Sequence, residues 1–291
     1  MKTSLAICSL CVLLAVSISA QDYTVKLDQP LKAGQRYSFT AIGSESSDMT
    51  MSSGQSAPQS QKDSQLIEME SVVTVLAVDE RGRPTKESHE IVKLLQGTEK
   101  QPLLAAGTKV IASHSGRKTL FEIEGAPASG KVSKALDLVV NITSGGPTDD
   151  DIFGTTERKK AGDSWPINKA VAITDANAKL ASAGMNVTSV KGTTTLVNVT
   201  HDGGVDISHI KAALNAAATP TSGGPFTSGN TTLDGTFTGA IPSDITKIAR
   251  VDTETMNMVM KVSGKPNPEG PAIQMNLTAK RSVTSKIKLL D

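Results

Sequence analysis

The sequence predicts a mainly β protein: long antiparallel strands forming a curved half-barrel or sandwich, internally duplicated, with two or three short helices. Three observations predict it. Apolar residues alternate with polar ones over many segments, glycine-bearing turns separate those segments, and one turn-and-strand motif occurs twice.

The C-terminal segment shows the alternation best. Ile273, Met275, Leu277, Ala279, Val283, Ile287 and Leu289 share one parity, which only Arg281 and Ser285 interrupt, and the other parity is polar from Gln274 to Lys288. Successive side chains of a strand point to opposite faces, so this segment reads as a long strand with one dry and one wet face. Tyr23, Val25 and Leu27 suggest a first strand, Tyr37, Phe39 and Ala41 a second, and Ile67, Met69, Val73, Val75 and Ala77 a third. Turns fall at Asp79–Gly82, Ser115–Gly116 and Asp202–Gly204, and Pro266–Gly270 links the last two strands. Helices are expected at Lys131–Val140, at Thr174–Ala183 (capped by Thr174 or Asp175 and ended by Gly184), and as a third candidate at Ile207–Ala217. Ser44–Ser64 reads as a mobile hairpin tip and Ala218–Thr232 as a flexible loop, because both are crowded with small polar residues.

The motif Lys32-Ala33-Gly34-Gln35-Arg36-Tyr37 returns as Lys160-Ala161-Gly162-Asp163-Ser164-Trp165. Each copy is followed by a strand that ends in a glycine hairpin, at Gly82 and at Gly203. Duplication follows, with a boundary near 145–158. The expected organisation is a signal segment over 1–20, an N-terminal β unit over 21–148 and a C-terminal β unit over 149–291, or the two merged in one domain.

Residues 1–20 carry Lys2, an apolar run from Leu5 to Val16 too short to span a membrane, and the cleavage-like Ser17-Ile18-Ser19-Ala20. An exported, periplasmic or extracellular product cut between Ala20 and Gln21 is the expectation. Both cysteines, Cys8 and Cys11, lie in this segment, so the remainder has no disulfide. Basic and acidic residues balance after it, and the whole chain holds eight aromatics. That combination gives no electrostatic footprint for nucleic acid and no stacking platform for bases.

Catalytic motifs are weak. Gly125–Lys131 resembles a phosphate loop, but Val132 stands where a hydroxyl would hold Mg²⁺. Ser115-Gly116-Arg117-Lys118 has the Ser-x-x-Lys spacing in a turn rather than a helix. His89, His114, His201 and His209 lack zinc-ligand spacing, and Asp149–Asp151 reads as a solvated linker rather than a Ca²⁺ loop. Asn141, Asn186, Asn198, Asn230 and Asn276 begin Asn-x-Thr triplets, read as structural by default. No catalytic set, metal site or cofactor is expected. The methionines stand out. Met256, Met258 and Met260 share one strand face, and Met275 falls on the strand expected to pair with theirs. Thioethers bind Cu(I), and they also fill irregular cores; between these lies an adaptable apolar cavity for a lipid-like ligand.

The Lys160–Trp165 and Val78–Gly82 segments, with the amphipathic C-terminal strand, resemble bacterial exported β-rich proteins of uncharacterised function. The overall pattern is similar to the envelope lipoprotein-carrier type of β half-barrel. That resemblance implies a curved sheet that holds an apolar ligand in its concavity. The functional expectation is a non-enzymatic envelope protein binding a hydrophobic ligand or a partner through Met256, Met258, Met260 and Met275. The alternatives are a structural or protein-interaction module of the envelope and an unidentified hydrolase.

Overall fold

Alternation produces strands wherever one face can be buried and the other wetted. In the computed structural model, which describes residues 21–53, 56–116, 118–142, 144–180, 184–221, 226–265 and 270–290, this yields one 13-stranded antiparallel sheet. Its elements in chain order are β1 (Arg36–Ser53), β2 (Ser56–Val78), β3 (Pro84–Gln96), β4 (Gln101–Pro102), β5 (Lys109–Ser115), β6 (Lys118–Ile123), β7 (Ala126–Pro127), α1 (Gly130–Val139), α2 (Asp149–Phe153), β8 (Ser164–Pro166), α3 (Lys169–Leu180), β9 (Met185–Asp202), β10 (Val205–Pro220), β11 (Ser228–Pro242), β12 (Arg250–Gly264) and β13 (Ile273–Leu290).

The spatial order is β7-β6-β5-β3-β2-β1-β13-β12-β11-β10-β9-β8, with β4 added beside β3. Two meanders, β1 to β7 and β8 to β13, therefore meet where the first long strand pairs with the last. That junction runs from Arg36↔Leu290 to Ser53↔Ile273 without a register shift. The sheet is curved and does not close. The two copies of the repeated motif make matching contacts. Gly34 donates to Val75 O (2.8 Å) and Gly162 to Leu196 O (2.7 Å). Lys32 N is capped by Gln35 Oε1 at 2.7 Å and Lys160 N by Asp163 Oδ2 at 2.8 Å. Tyr37 faces Val73 as Trp165 faces Thr194.

One face of the sheet, the inner face, carries the apolar parity and is covered in three places. Helix α1 lies over β1, β2 and β6, burying Ala135, Leu136 and Leu138 against Phe39, Ile67, Met69, Leu94 and Phe121. Helices α2 and α3 cover β9, β10 and β11 through Ile152, Ala172, Val187, Val190 and Ala216. Between them, Val25 and Leu27 of the N-terminal segment pack on Trp165, Leu196, Ile210 and Ile241. The outer face is wet and bonded by hydroxyl pairs across strands, such as Thr253 with Thr284 and Ser228 with Ser263.

Several sequence expectations change. Ser44–Ser64 is not a loose tip: its described residues are paired strand in β1 and β2, because pairing needs backbone rather than apolar side chains. Ala218–Thr232 shrinks to a short connection, since β10 runs to Pro220 and β11 starts at Ser228. Ile207–Ala217 is strand, its alanine-rich helix propensity overridden by ladders to β9 and β11 on both sides. Helix α3 begins five residues before the expected start, and Asn168 Oδ1 accepts from Val171 N at 3.4 Å there. Tyr23–Leu27 is not a strand of the sheet: Tyr23 makes an isolated bridge with Lys159, and Val25 and Leu27 pack on the inner face. Asp149–Asp151 forms α2, started by a capping box between Thr148 and Asp151. Residues 266–269, expected to turn between the last strands, lie outside the described residues.

Helix α1 approaches β1 closely at Gly43, where a Cβ would stand 2.7 Å from Leu138 Cγ and 2.9 Å from Val139 Cγ1. Gly43→Val should therefore cost about 1–3 kcal/mol in urea unfolding; an unchanged midpoint would mean that α1 is not held at this distance.

A candidate apolar strip and its central cleft

The ladder registers place the methionines in one lattice. On the inner face, Met51 lies opposite Met275, which lies opposite Val262. In the next row Met49 meets Leu277, and Leu277 meets Met260. Then come Ser47, Ala279, Met258 and Leu233. Met256 follows, opposite Arg281. All four methionines singled out in the sequence therefore share this face on the adjacent strands β12 and β13. Met49 and Met51 on β1 join them, so six of the nine methionines in the chain line one strip.

Each of the six is half-buried, and none belongs to a core cluster. The strip runs between the α1 cover and the α2–α3 cover. From the Arg281 row to Ile273 it is about 26 Å long, and four strands make it about 14 Å wide. On the β2 side it ends in the exposed polar residues Gln59, Gln61 and Asp63, which face Met51, Met49 and Ser47.

At its Arg281 end the strip opens into a cleft of about 540 Å³. Its apolar lining includes Phe39, Leu138, Val139, Ile142, Val283 and Ile287, and its charged lining includes Arg81, Arg83, Glu87, Asp150, Arg250, Glu254 and Arg281. The arginines are bound to protein. Arg81 pairs with Asp151, and Arg83 Nε donates to Asp79 Oδ2 at 2.8 Å. Arg250 spans Asp252 Oδ2 (2.6 Å) and Leu27 O (2.7 Å). Arg281 donates to Asp137 O and Leu138 O at the end of α1. Asp150 accepts from Leu27 N at 2.9 Å, so the segment once read as a solvated linker is tied into the joint.

One wall of the cleft holds a buried polar chain that the sequence reading missed. Tyr37 OH donates to Glu87 Oε1 at 2.5 Å, Glu87 Oε2 lies 3.3 Å from His89 Nε2, and His89 Nδ1 is 3.3 Å from Ser71 Oγ. Burial first, then the charge and hydrogen bond of Glu87, push the Tyr37 phenol well above its usual pKa, so it stays protonated and donates. The available signal was Glu87-x-His89-x-Ile91, two polar residues on the apolar parity of β3. Of the other histidines, His201 pairs with Asp206 and His209 with Thr200 at the exposed β9–β10 hairpin, and His114 meets Ile142 O. All five Asn-x-Thr asparagines are exposed. Among the described residues no group of three His, Cys, Asp or Glu side chains could hold a metal ion, and no helix is long and apolar enough to cross a membrane.

A scan against protein-family models and a search of curated proteins each found no match.

Asp149, the first residue of α2, is exposed, with protein packed close beside its carboxyl. Desolvation raises its pKa from 3.8 to about 6; Arg250 opposes the rise, and Asp28, Asp252 and Glu254 add to it. The folded chain then binds this proton more tightly than the unfolded chain does. The group's contribution to stability is present below about pH 4 and lost as pH rises through 6. Asp149→Asn should melt progressively higher than wild type as the pH is taken from about 4 to about 7. A gap constant across that range would show that the carboxyl is not desolvated in the folded state.

Proposed function

We propose that this chain is an exported envelope protein that binds a hydrophobic, lipid-like molecule on the inner face of its sheet, without catalysing a reaction. The observation that supports this reading most directly is the uncovered strip of Met49, Met51, Met256, Met258, Met260 and Met275. Elsewhere the inner face is closed by a helix or by the N-terminal segment, as a hydrophobic face in water requires. Apolar strips left open on a folded protein mark places where something else docks. Unbranched thioether side chains repack around varied shapes, so the strip suits an elongated apolar molecule without demanding one outline. The segment over 1–20 supports export, and the resemblance to carrier-type half-barrels agrees with both.

A second reading is an interaction module. β2 extends beyond β3, whose pairing with it begins at Ile67↔Gln96 and is continued by Gly97 N donating to Leu66 O at 2.9 Å, so Gln59 to Gln65 presents a strand edge paired, among the described residues, with β1 alone. Such edges accept an added strand. Pro58 and Lys62 on that edge oppose it, and the carrier reading is preferred.

Native mass spectrometry of the protein purified gently from its own envelope, followed by organic extraction, tests the proposal. A co-purifying apolar mass is expected; a consistently bare chain would favour the interaction module. Met258→Asp should weaken binding of the apolar fluorophore N-phenyl-1-naphthylamine about tenfold or more, measured where the variant keeps its β-sheet circular dichroism. Unaltered fluorophore binding would remove the strip from the site.

A further inference from the structure

The cleft offers more than apolar surface, and its polar wall has one bond to spare. Tyr37, Glu87 and His89 all line it and all are buried, His89 to 2 % exposure. Glu87 Oε1 is taken by the Tyr37 hydroxyl. His89 Nε2, 3.3 Å from Glu87 Oε2, is buried with no hydrogen-bond partner among the described residues. The two atoms are close enough to be served by one group and are not aligned to serve each other. Unpaired buried polar atoms are costly, and a satisfied network is worth more than its parts.

We propose that the cleft takes its ligand by a hydroxyl group seated at Glu87 and His89, so that the bound molecule is a neutral, hydroxyl-headed amphiphile. This rests on the apolar-ligand reading above and adds the chemistry of the head. A hydroxyl both donates and accepts: it donates to Glu87 Oε2 and accepts from His89 Nε2–H, while Nδ1 accepts from the Ser71 hydroxyl. The four groups of the wall are then all satisfied. A carboxylate or phosphate head satisfies the imidazole alone and sets an anion against Glu87. An ammonium satisfies Glu87 alone and leaves Nε2–H without an acceptor. Phe39, Leu138 and Val139 of the same cleft receive the apolar part nearest the head, and the cleft leads on to the methionine strip past Arg281.

The test is displacement of N-phenyl-1-naphthylamine from the mature protein by 1-dodecanol, laurate and dodecylamine, which share one tail and differ in the head. Dodecanol should displace the fluorophore at concentrations about tenfold lower than either charged compound, the worth of a hydrogen bond made or lost in a buried site. In Glu87→Gln, nearly the same shape without the charge, laurate should gain and match or surpass dodecanol, both read relative to the fluorophore affinity of that same variant. A wild-type preference for laurate or dodecylamine overturns the assignment. So does equal displacement by all three, which would mean that water holds the pair, and so does an unchanged ranking in Glu87→Gln. If the fluorophore itself does not bind, the apolar-ligand reading fails and the head-group proposal falls with it; if it binds without head preference, only the latter falls.

Discussion

The ladder between β1 and β13 is the constraint on which the rest of the molecule depends. It joins residues as far apart as Arg36 and Leu290, and among the described residues it is the one ladder between the two meanders of the sheet. A loop of that length must be closed before the seam's hydrogen bonds form, and the entropy lost in closing it grows only slowly with length. Eighteen consecutive register pairs then offset it. The seam aligns the dry parity of β1 with that of β13, Tyr37 against Leu289 and Met49 against Leu277, so two separate apolar faces become one. A one-residue slip would set Met49 against Asn276 or Thr278 and dissolve the strip.

From that alignment the covers and the gap both follow. Each meander brings its own lid: α1 lies over β1, β2 and β6 and reaches β13 at one end of the seam, and α2 with α3 covers β9 and its neighbours. The N-terminal segment closes the proximal part, where Val25 and Leu27 pack and where Arg250 and Asp150 fasten Leu27 and Asp28. At the distal part of the seam neither lid reaches, and there the methionines lie. The cleft marks the transition. It is floored by β1, β13 and β12, walled by the end of α1, and polar on the β3 side, where Glu87 and His89 meet Tyr37. The charged lining is mostly consumed in holding the lids, which is why Arg281, the conspicuous break in the C-terminal strand's apolar parity, turns out to bind the last carbonyls of α1.

Much of this was legible because parity is a local property. The dry face of β13, the pairing of the strand bearing Met275 with the strand bearing Met258, and the hairpin at Gly82 were all visible in the chain. The errors share a cause: local composition was asked to decide what neighbours decide. Ala212, Ala213, Ala216 and Ala217 favour helix in isolation, but β9 and β11 claim the backbone on both sides. Ser44–Ser53 has little to bury and still forms strand because β2 and β13 flank it. His89 was weighed only as a zinc ligand, and Glu87 beside it was passed over because a charged residue on a strand is normally read as solvent-facing; the Tyr37 hydroxyl, fifty residues earlier, helps make a buried carboxylate tolerable at that position.

The choice of residue in the strip carries the remaining argument. A strand that simply needs a buried face is best served by Val and Ile, whose branched side chains suit the pleat and pack stiffly. β12 has Val and Thr on its outer parity, at Val251, Thr253, Thr255 and Val259, where burial asks for little. On its inner parity, where packing should matter most, it has Met256, Met258 and Met260. The chain thus gives up strand propensity on the face that the fold leaves open and keeps it on the face that water covers. In a closed core that arrangement would lose rigidity for nothing, because flexible side chains specify packing poorly. On a half-buried strip beside a cleft the same flexibility suits the apolar ligand proposed above. The placement of the methionines therefore follows the gap in the lids rather than the demands of the sheet.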